Sequence, residues 1–248
     1  MNCAAQRCPE NEKDGEVRNL KLRTIIGVSD LRAEPKFRSE RVSQTIFGEA
    51  VDVLKGGSGD YMHVRAADGY EAYTSRNGFG KVSAEPEYKI VQAWKTGDIR
   101  LPVGSLLTED DVEKMLIPRK FYRPLDYSVD VLGLARGYLG VPYLWGGVSE
   151  FGIDCSGLVQ RVFGFNGVKL PRNAGEQEHA GKIVSSLDEA EPGDTVFFPG
   201  HVGIYMGKGR LIHANLHNQR VSITDLSDRS AYSSYLRKHV TSIRRIRN

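Results

Sequence analysis

The sequence predicts an α+β protein in which a small β-barrel precedes a domain of helices packed on an antiparallel sheet. Two observations support this fold class. Short apolar or alternating runs separated by glycine-containing turns fill residues 22–83, a pattern typical of a small all-β barrel. Helix signals followed by consecutive strand-like runs fill the second half of the chain, a pattern typical of an α+β domain with an antiparallel sheet.

The first part of the chain is expected to hold five short strands. Gly48, the glycine-rich stretch 55–60 and the pair Asp68-Gly69 supply turns between apolar runs. Five strands within about 60 residues favour a barrel over a βαβ unit. The predicted strands are residues 24–28, 43–47, 50–54, 62–65 and 71–74.

A short middle segment follows. It contains a strand-like run at 88–94, a Leu-Pro-Val-Gly turn at 101–104 and a short helix predicted at 109–116. Because so few apolar residues cannot bury a core alone, we expect this segment to pack on one of its neighbours.

The second half opens with two helices. Ser128 is a suitable N-cap for a helix over 129–139, with Gly140 after its end and Pro142 beyond. A second, amphipathic helix is predicted at 155–165. Four strands should then follow in hairpin succession, at residues 195–198, 201–206, 210–214 and 220–224.

Cys155 lies in the first turn of the second predicted helix, after Asp154 and before Ser156. Asp and Ser start helices by accepting hydrogen bonds from free backbone N–H groups. The positive end of the helix dipole favours a thiolate over a thiol there. The position makes Cys155 a candidate nucleophile; the alternative is a buried, inert cysteine.

A thiolate nucleophile needs a base, and the base needs an orienting partner. His201 and His213 lie in two strands joined at Gly-Lys-Gly 207–209. A symmetric turn centred on Lys208 places both rings on one face within roughly 8 Å; a two-residue turn places them on opposite faces. The alternatives are ordinary sheet histidines, or a zinc site with Cys155. The wide sequence spacing disfavours zinc, so no metal is expected.

Aromatic residues and paired glycines precede Cys155. Tyr143 and Trp145 are followed by Gly146 and Gly147, and such a run suits a cleft wall where backbone passes close to a substrate. Core aromatics followed by a turn fit the segment equally well.

The composition excludes some classes. The net charge of +3 and pI near 8.7 come without the basic, aromatic-interleaved stripe of a nucleic-acid binder, and the C-terminal Arg244, Arg245 and Arg247 read as a solvated end. Residues 1–20 form a polar leader, and no apolar stretch is long enough for a signal sequence or a membrane span. The leader cysteines Cys3 and Cys8 are expected to be free thiols. These features favour the cytoplasm, and a monomer.

Taken together, the motifs of residues 128–248 resemble the NlpC-type family of papain-like cell-wall cysteine peptidases. The resemblance implies a papain-like fold without a cofactor, with Cys155 as nucleophile, His201 as base and His213 as its orienting partner. It also makes the backbone N–H of Cys155 and the hydroxyl of Tyr143 candidates to stabilise the oxyanion. The motifs are Pro-Tyr-Leu-Trp-Gly-Gly (142–147), Gly-Ile-Asp-Cys-Ser-Gly-Leu-Val (152–159), Leu-Pro-Arg-Asn-Ala (170–174), Pro-Gly-Asp-Thr-Val-Phe-Phe (192–198), His-Val-Gly-Ile-Tyr-Met-Gly (201–207) and Leu-Ile-His-Ala (211–214).

The preceding region resembles the bacterial SH3-like domain of γ-D-glutamyl-L-diamino-acid endopeptidases, through motifs at 30–35, 39–49 and 68–73. The implied domains are a leader (1–20), an SH3-like barrel (21–87), a second SH3-like or linker segment (88–126) and the peptidase domain (127–248). The implied substrate is a murein tripeptide or tetrapeptide, L-Ala-γ-D-Glu followed by meso-diaminopimelate or L-Lys.

The resemblance also implies how that substrate is held. Asp154, Glu40 and Tyr70 would grip the ammonium of L-Ala, and Trp145 is a further candidate for binding substrate. Where relatives carry Trp, this chain has Tyr73, so the pocket wall is expected to differ. Arg172 and Ser156 would lie near the carboxylates of the substrate.

Three rivals to a recycling peptidase remain open. The chain could be a hydrolase that remodels the intact cell wall, a non-catalytic cell-wall binding protein, or an acyltransferase or amidase on the same fold. The intact Cys155, His201 and His213 argue against a binding protein. The preference between diaminopimelate and lysine is not readable from the sequence.

Overall fold

The computed structural model describes residues 20–246. The leader before Leu20, with Cys3 and Cys8, lies outside the described residues, as does Arg247. Among the helices of the described chain, none has the length and apolar character needed to span a lipid bilayer.

Seven antiparallel strands form the first sheet, in the order β3-β2-β6-β5-β4-β1-β7. No pairing joins the end strands β3 and β7 within residues 20–246, so hydrogen bonds do not close the predicted barrel. Buried Leu31, Val51, Met62 and Val64 form the core of this sheet. The strands are β1 (Lys21–Thr24), β2 (Val28–Arg32), β3 (Arg41–Ile46), β4 (Ala50–Ser58), β5 (Tyr61–Ala66), β6 (Glu71–Ser75) and β7 (Phe79–Lys81).

One predicted strand of this sheet is wrong. The run 24–28 is a bend between β1 and β2 rather than a continuous strand. A Cβ at Gly27 would lie 2.2 Å from the carbonyl oxygen of Arg100, so only glycine lets the chain pass this backbone while it turns. Strands β3 to β6 overlap the remaining four predictions, and β7 was not predicted.

The middle segment packs as expected. Its cluster of buried side chains, which includes Ile90, Leu101 and Phe121, takes in Phe47 from the first sheet. The predicted strand 88–94 is divided, because Trp94 pairs with Leu101 in a separate two-stranded ribbon. A capping box between Thr108 and Asp111 starts the predicted helix. The elements are β8 (Tyr88–Ile90), β9 (Trp94–Thr96), β10 (Ile99–Leu101), β11 (Leu106–Leu107), α1 (Glu109–Lys114) and β12 (Tyr122–Pro124).

The second half is a six-stranded antiparallel sheet, in the order β15-β20-β16-β17-β18-β19, with helices packed on it. Its main core lies between α3 and the sheet and includes Leu158, Val162, Phe197, Val202 and Ile212. The elements are α2 (Val131–Gly137), β13 (Val148–Ser149), β14 (Gly152–Ile153), α3 (Cys155–Phe165), α4 (Ala174–Gln177), β15 (Lys182–Ile183), β16 (Thr195–Phe198), β17 (His201–Gly207), β18 (Arg210–Asn215), β19 (Arg220–Asp225), α5 (Ala231–Lys238) and β20 (Ser242–Arg245).

Two predictions for this half need correction. The N-cap of α2 is Asp130 rather than Ser128, and its carboxylate accepts a hydrogen bond from Gly133 N at 2.6 Å. Arg244 and Arg245 are not part of a solvated end, because both belong to β20 and the guanidinium of Arg245 pairs with buried Asp194 at 2.9 Å. Neither α5 nor β20 was predicted.

The β17–β18 hairpin has the register expected of a turn centred on Lys208, since Ile204 pairs with Ile212. The turn itself contains only Lys208 and Gly209, both with positive φ, and Gly207 pairs with Arg210. A β-bulge between Tyr205 and Gly207 adds one residue to β17 and restores the odd register.

Polar contacts join the first domain to the helix α3 and the loops of the second half of the chain. The Arg172 Nε–H donates to Ser43 Oγ at 3.0 Å, and the Val148 N–H donates to the Gln44 side chain. The guanidinium of Arg161 on α3 pairs with Glu49. Because these contacts start from the segments around Cys155, the first sheet is fixed against the region that carries the thiol.

Candidate active site

Cys155 opens α3 and lies at the boundary between this helix and the sheet. The carboxylate of Asp154, the N-cap, accepts a hydrogen bond from the Gly157 N–H at 2.7 Å, which fixes the first turn as predicted. The side chain is buried, with 7% of the residue exposed. The backbone N–H groups of Val202 and Ser156 lie close enough to the sulfur to lower the pKa of the thiol. The thiol therefore lies beside the first residues of β17.

The electrostatics of the thiol differ from the expectation based on the helix dipole. Burial, followed by the charge of Asp154, raises the pKa of Cys155 to about 11, although the N–H groups of Val202 and Ser156 and the guanidinium of Arg172 lower it. Removal of water from the sulfur outweighs the helix end because a thiolate loses more solvation than a thiol. The resting site therefore holds a neutral thiol.

His201 and His213 form a hydrogen-bonded pair, as the hairpin register requires. Nε2 of His201 lies 2.7 Å from Nδ1 of His213, and Nε2 of His213 lies 2.9 Å from Oγ1 of Thr224 on β19. His213 is fully buried and His201 is partly exposed at the strand start. The three side chains form a chain of contacts from the edge of the cleft into the core.

Only one set of tautomers leaves Nδ1 of His201 able to accept a proton. His201 must then carry its proton on Nε2 and donate it to Nδ1 of His213, whose own Nε2–H donates to Thr224. Burial lowers the pKa of His201 to about 4 and, together with the neighbouring imidazoles, lowers that of His213 well below its ordinary value. Both rings are therefore neutral at pH 7.

Two tyrosines flank the thiol. Tyr143 precedes α3, and burial followed by the charge of Cys155 raises its pKa. Tyr232 comes from the first turn of α5, where burial, and again the charge of Cys155, raise its pKa to about 12. Both hydroxyls therefore stay protonated and can act as donors near the sulfur.

Asp154, Arg172 and Ser156 form one internal network. Both oxygens of Asp154 accept hydrogen bonds from the guanidinium of Arg172, at 2.6 and 3.0 Å, and one also accepts from the Gly146 N–H. The Ser156 hydroxyl is bonded to both partners. Only 2% of Arg172 is exposed. These three residues therefore hold one another and position the first turn of α3, and their expected contacts with substrate stay a prediction.

Trp145 and Glu40 meet across the two halves of the chain. The indole Nε1–H donates to Oε1 of Glu40 at 2.7 Å, and both side chains are exposed. A Cβ at Gly146 would lie 2.5 Å from the Arg41 carbonyl oxygen, so glycine permits the close approach of this loop to β3. The predicted cleft wall is therefore shared between the first sheet and the loop before α3.

Tyr70 and Tyr73 belong to the first domain, and among residues 20–246 no hydrogen bond or ring contact joins either of them to Cys155 or to the histidine pair. Tyr70 packs against the core of that sheet, and the Tyr73 ring stacks on His63 with centroids 4.8 Å apart. Of the candidate substrate-binding residues, the structure joins Glu40 and Trp145 by a hydrogen bond, and within the described chain neither tyrosine is hydrogen-bonded to them.

Within the described chain, no group of three or more His, Cys, Asp or Glu side chains is arranged to hold a metal ion. A cavity of about 540 Å³ borders the other end of α3, where Arg161 and Phe165 line it together with Lys89. Neither Cys155 nor the histidine pair lines this cavity, so it is separate from the site.

Sequence reasoning missed three residues of this region. Thr224 follows Ser222, the cross-strand partner of His213, by two residues and so shares its face of the sheet; extending the hairpin argument to the next strand would have found it. Tyr232 and His217, whose rings stack at 4.0 Å, gave no signal because α5 was not predicted.

Two regions of the chain are similar to known protein families. A model of the NlpC/P60 family matches residues 140–245, and a model described as a bacterial dipeptidyl-peptidase SH3 domain matches residues 31–78. The chain is 28% identical to "Dipeptidyl-peptidase 6" of Lysinibacillus sphaericus, over 82% of this chain and 91% of that protein. It is 40% identical to "Gamma-D-glutamyl-L-lysine dipeptidyl-peptidase" of Bacillus subtilis, over 40% of this chain but only 36% of that protein.

A solved structure has the same fold. The crystal structure of an NlpC/P60 family protein from Bacillus cereus superimposes with a TM-score of 0.75 at 18% identity, covering 91% of this chain and 99% of that one. The mixed helix and antiparallel-sheet architecture, with an SH3-like part in front, is thereby confirmed.

Proposed function

Since the chain carries an NlpC/P60 cysteine peptidase domain behind a bacterial SH3 domain, we propose that it hydrolyses the γ-D-glutamyl–diamino-acid bond of murein peptides that have a free N-terminal L-Ala. The diamino acid is meso-diaminopimelate or L-Lys. The single observation that carries the proposal is the hydrogen-bonded pair of His201 and His213 at the start of β17, the strand whose next residue, Val202, packs in the same core as Cys155. The name of one relative, "Gamma-D-glutamyl-L-lysine dipeptidyl-peptidase", supports the substrate class.

The reaction starts from the neutral thiol of Cys155 and the neutral imidazole of His201. Nδ1 of His201 takes the thiol proton as the sulfur attacks the γ-carbonyl carbon, so the imidazolium forms only during attack. The backbone N–H of Cys155, free of a helical partner at the first turn, and the hydroxyl of Tyr143 stabilise the oxyanion. His201 returns the proton to the leaving amine. A water molecule, deprotonated by the same ring, then hydrolyses the thioester.

The exposed Glu40 carboxylate, held by Trp145 at 2.7 Å, is the proposed partner of the L-Ala ammonium. Asp154 does not bind the ammonium directly on this proposal, because both of its carboxylate oxygens accept hydrogen bonds from Arg172. A carboxylate at the end of the cleft binds a free ammonium and disfavours an acylated amine, which carries no charge. This end of the site therefore favours free peptides over peptides still attached to glycan, as a role in murein peptide recycling in the cytoplasm requires.

Mass spectrometry of reaction products tests the proposal. The substrates are L-Ala-γ-D-Glu-L-Lys, the diaminopimelate equivalent and their N-acetylated forms, each treated with the wild-type protein and with Cys155→Ala. We expect release of the diamino acid from the free peptides alone, and only by the wild type. Release by Cys155→Ala would contradict the assigned nucleophile.

Purified sacculi distinguish the second candidate, a hydrolase of the intact cell wall, which the similarity to "Bifunctional muramidase/DL-endopeptidase CwlT" favours (42% identity over 132 residues). If the protein cleaves sacculi faster than the free tripeptide, it acts on the intact cell wall and the recycling role is rejected. Rapid cleavage of the acetylated tripeptide would equally contradict the proposed amine end.

A further inference from the structure

Tyr232 and His217 form a stacked pair next to the histidines of the site. Their ring centroids lie 4.0 Å apart with the planes 9° from parallel. Tyr232 also lies nearly parallel to His213, at 15° and 6.2 Å. The rings of His201, His213, Tyr232 and His217 thus follow one another as a series, which leads from the cleft to the first turn of α5.

The proposed mechanism does not use the Tyr232 hydroxyl, which is a hydrogen-bond donor. Among the described residues it makes no hydrogen bond, although the side chain is half-buried and packs against Leu236 and its neighbours in the second core. Its ring faces that of His213 at 6.2 Å, which places the phenol beside the histidine pair of the site. A half-buried donor beside a reacting centre is a suitable partner for an acceptor on a ligand.

The position of the pair indicates which part of the substrate it meets. In the proposed mechanism His201 returns its proton to the leaving amine, so the leaving residue must lie on the side of the histidines. Trp145 and Glu40, donated by the loop before α3 and by the first sheet, serve the other end. Tyr232 is therefore next to the leaving residue.

We propose that the stacked pair of Tyr232 and His217 forms the wall of the subsite for the leaving diamino acid, and that the Tyr232 hydroxyl donates a hydrogen bond to the α-carboxylate of that residue. This inference depends on the function proposed above. In a tripeptide the leaving residue carries this free carboxylate one carbon from the amine released by cleavage. Tyr232 is a substrate-binding residue on this account, and His217 positions its ring.

The same helix offers a matched control. Tyr235 lies one turn further along α5, is half exposed and stacks on His239 with centroids 4.1 Å apart. This second pair reproduces the tyrosine–histidine stack away from the histidines of the site. Tyr235→Phe and His239→Ala therefore report the general effect of such changes on α5.

The experiment compares kcat and KM on L-Ala-γ-D-Glu-L-Lys and on its C-terminal amide. We expect Tyr232→Phe to raise KM for the free acid by roughly tenfold, the loss of one hydrogen bond to a charged group, and to change KM for the amide by less than about twofold. His217→Ala should raise KM for the acid as well, because the ring of Tyr232 loses its support. The two control variants should leave both substrates unchanged.

Three results would overturn the inference. An equal loss of kcat on both substrates would show that Tyr232 only orients His213. An unchanged KM for the free acid in Tyr232→Phe would show that the hydroxyl does not meet the carboxylate. A wild-type protein that cleaves neither peptide would reject the proposed function, and this inference with it; only in that last case does the function fail too.

Discussion

The indole N–H of Trp145 donates to the carboxylate of Glu40 across 2.7 Å and 105 positions of sequence. One partner belongs to the loop before the catalytic helix and the other to the segment that leads into β3 of the first sheet. Neither domain alone could build this end of the cleft. The contact therefore makes the SH3 domain part of the site rather than a distant anchor.

Replacing Glu40 by Gln tests this end of the cleft. The amide still accepts a hydrogen bond from Trp145 but carries no charge for the L-Ala ammonium. We expect KM for L-Ala-γ-D-Glu-L-Lys to rise by roughly tenfold with kcat nearly unchanged. Steady-state kinetics on the free and N-acetylated tripeptides measure the effect. Glu34→Gln, at an exposed surface ion pair with Lys36, is the control, and an equal rise in KM there would reject the role of Glu40.

Thr224→Val tests the chain of contacts behind the base. Without the hydroxyl, Nε2–H of the buried His213 loses its partner, and the tautomer that lets His201 accept a proton is no longer favoured. We expect kcat to fall by about three- to tenfold while KM is unchanged. Thr195→Val, which removes a buried threonine hydroxyl bonded to the Arg244 carbonyl on the same sheet, should leave kcat intact. Equal losses in both variants would indicate general damage to the sheet.

Arg172→Met tests the internal network. The change leaves the carboxylate of Asp154 buried without its counter-charge, and we expect the free energy of unfolding to fall by about 3 kcal/mol or more. Urea denaturation at pH 7 measures the loss. In Arg65→Met, which removes a partly exposed pair with Glu71, the loss should stay below about 1 kcal/mol. Similar losses in the two variants would contradict the structural role of Arg172.

Acid should destabilise the fold through the buried imidazoles. Burial lowers the pKa of His201 to about 4, against about 6.5 in an unfolded chain, so the unfolded state binds the proton more tightly. The stabilising contribution is complete above pH 6.5 and is lost as the pH falls towards 4, by about 3 kcal/mol for this residue. The pKa of His213 is lowered in the same direction.

Urea denaturation between pH 7.5 and 4 measures this loss. In His201→Gln the part of the loss that is due to His201 should disappear, since the side chain no longer titrates. An identical pH dependence in the variant and the wild type would show that other groups control the acid transition.

Local signals predicted much of the catalytic half. The strands that begin at Thr195, His201, Arg210 and Arg220 start where expected, because each follows a turn that the sequence marks clearly. The helix at Cys155 has its cap at Asp154. In contrast, the chain bends at Gly27 where it passes close to the distant Arg100 backbone, and the partner of Asp154 is Arg172, eighteen residues away. No local pattern encodes such contacts.

The protonation state of the Cys155 thiol could not be predicted from the sequence either, because it depends on contacts between residues that are distant along the chain. The helix end at Cys155 is a local feature, and the prediction of a thiolate used only that feature. Burial of the sulfur is produced by packing of α3 on β17, between residues more than forty positions apart, and it has the larger effect on the pKa.

The bulge in β17 has a consequence for variation among related chains. Met206 is the extra residue that lets a two-residue turn coexist with two imidazoles on the same side. Deleting one residue between His201 and His213, without a compensating insertion, would move one imidazole to the opposite face of the sheet. His201 would then lose its hydrogen-bond partner His213. We therefore expect related chains to differ in the length of this hairpin by even numbers of residues.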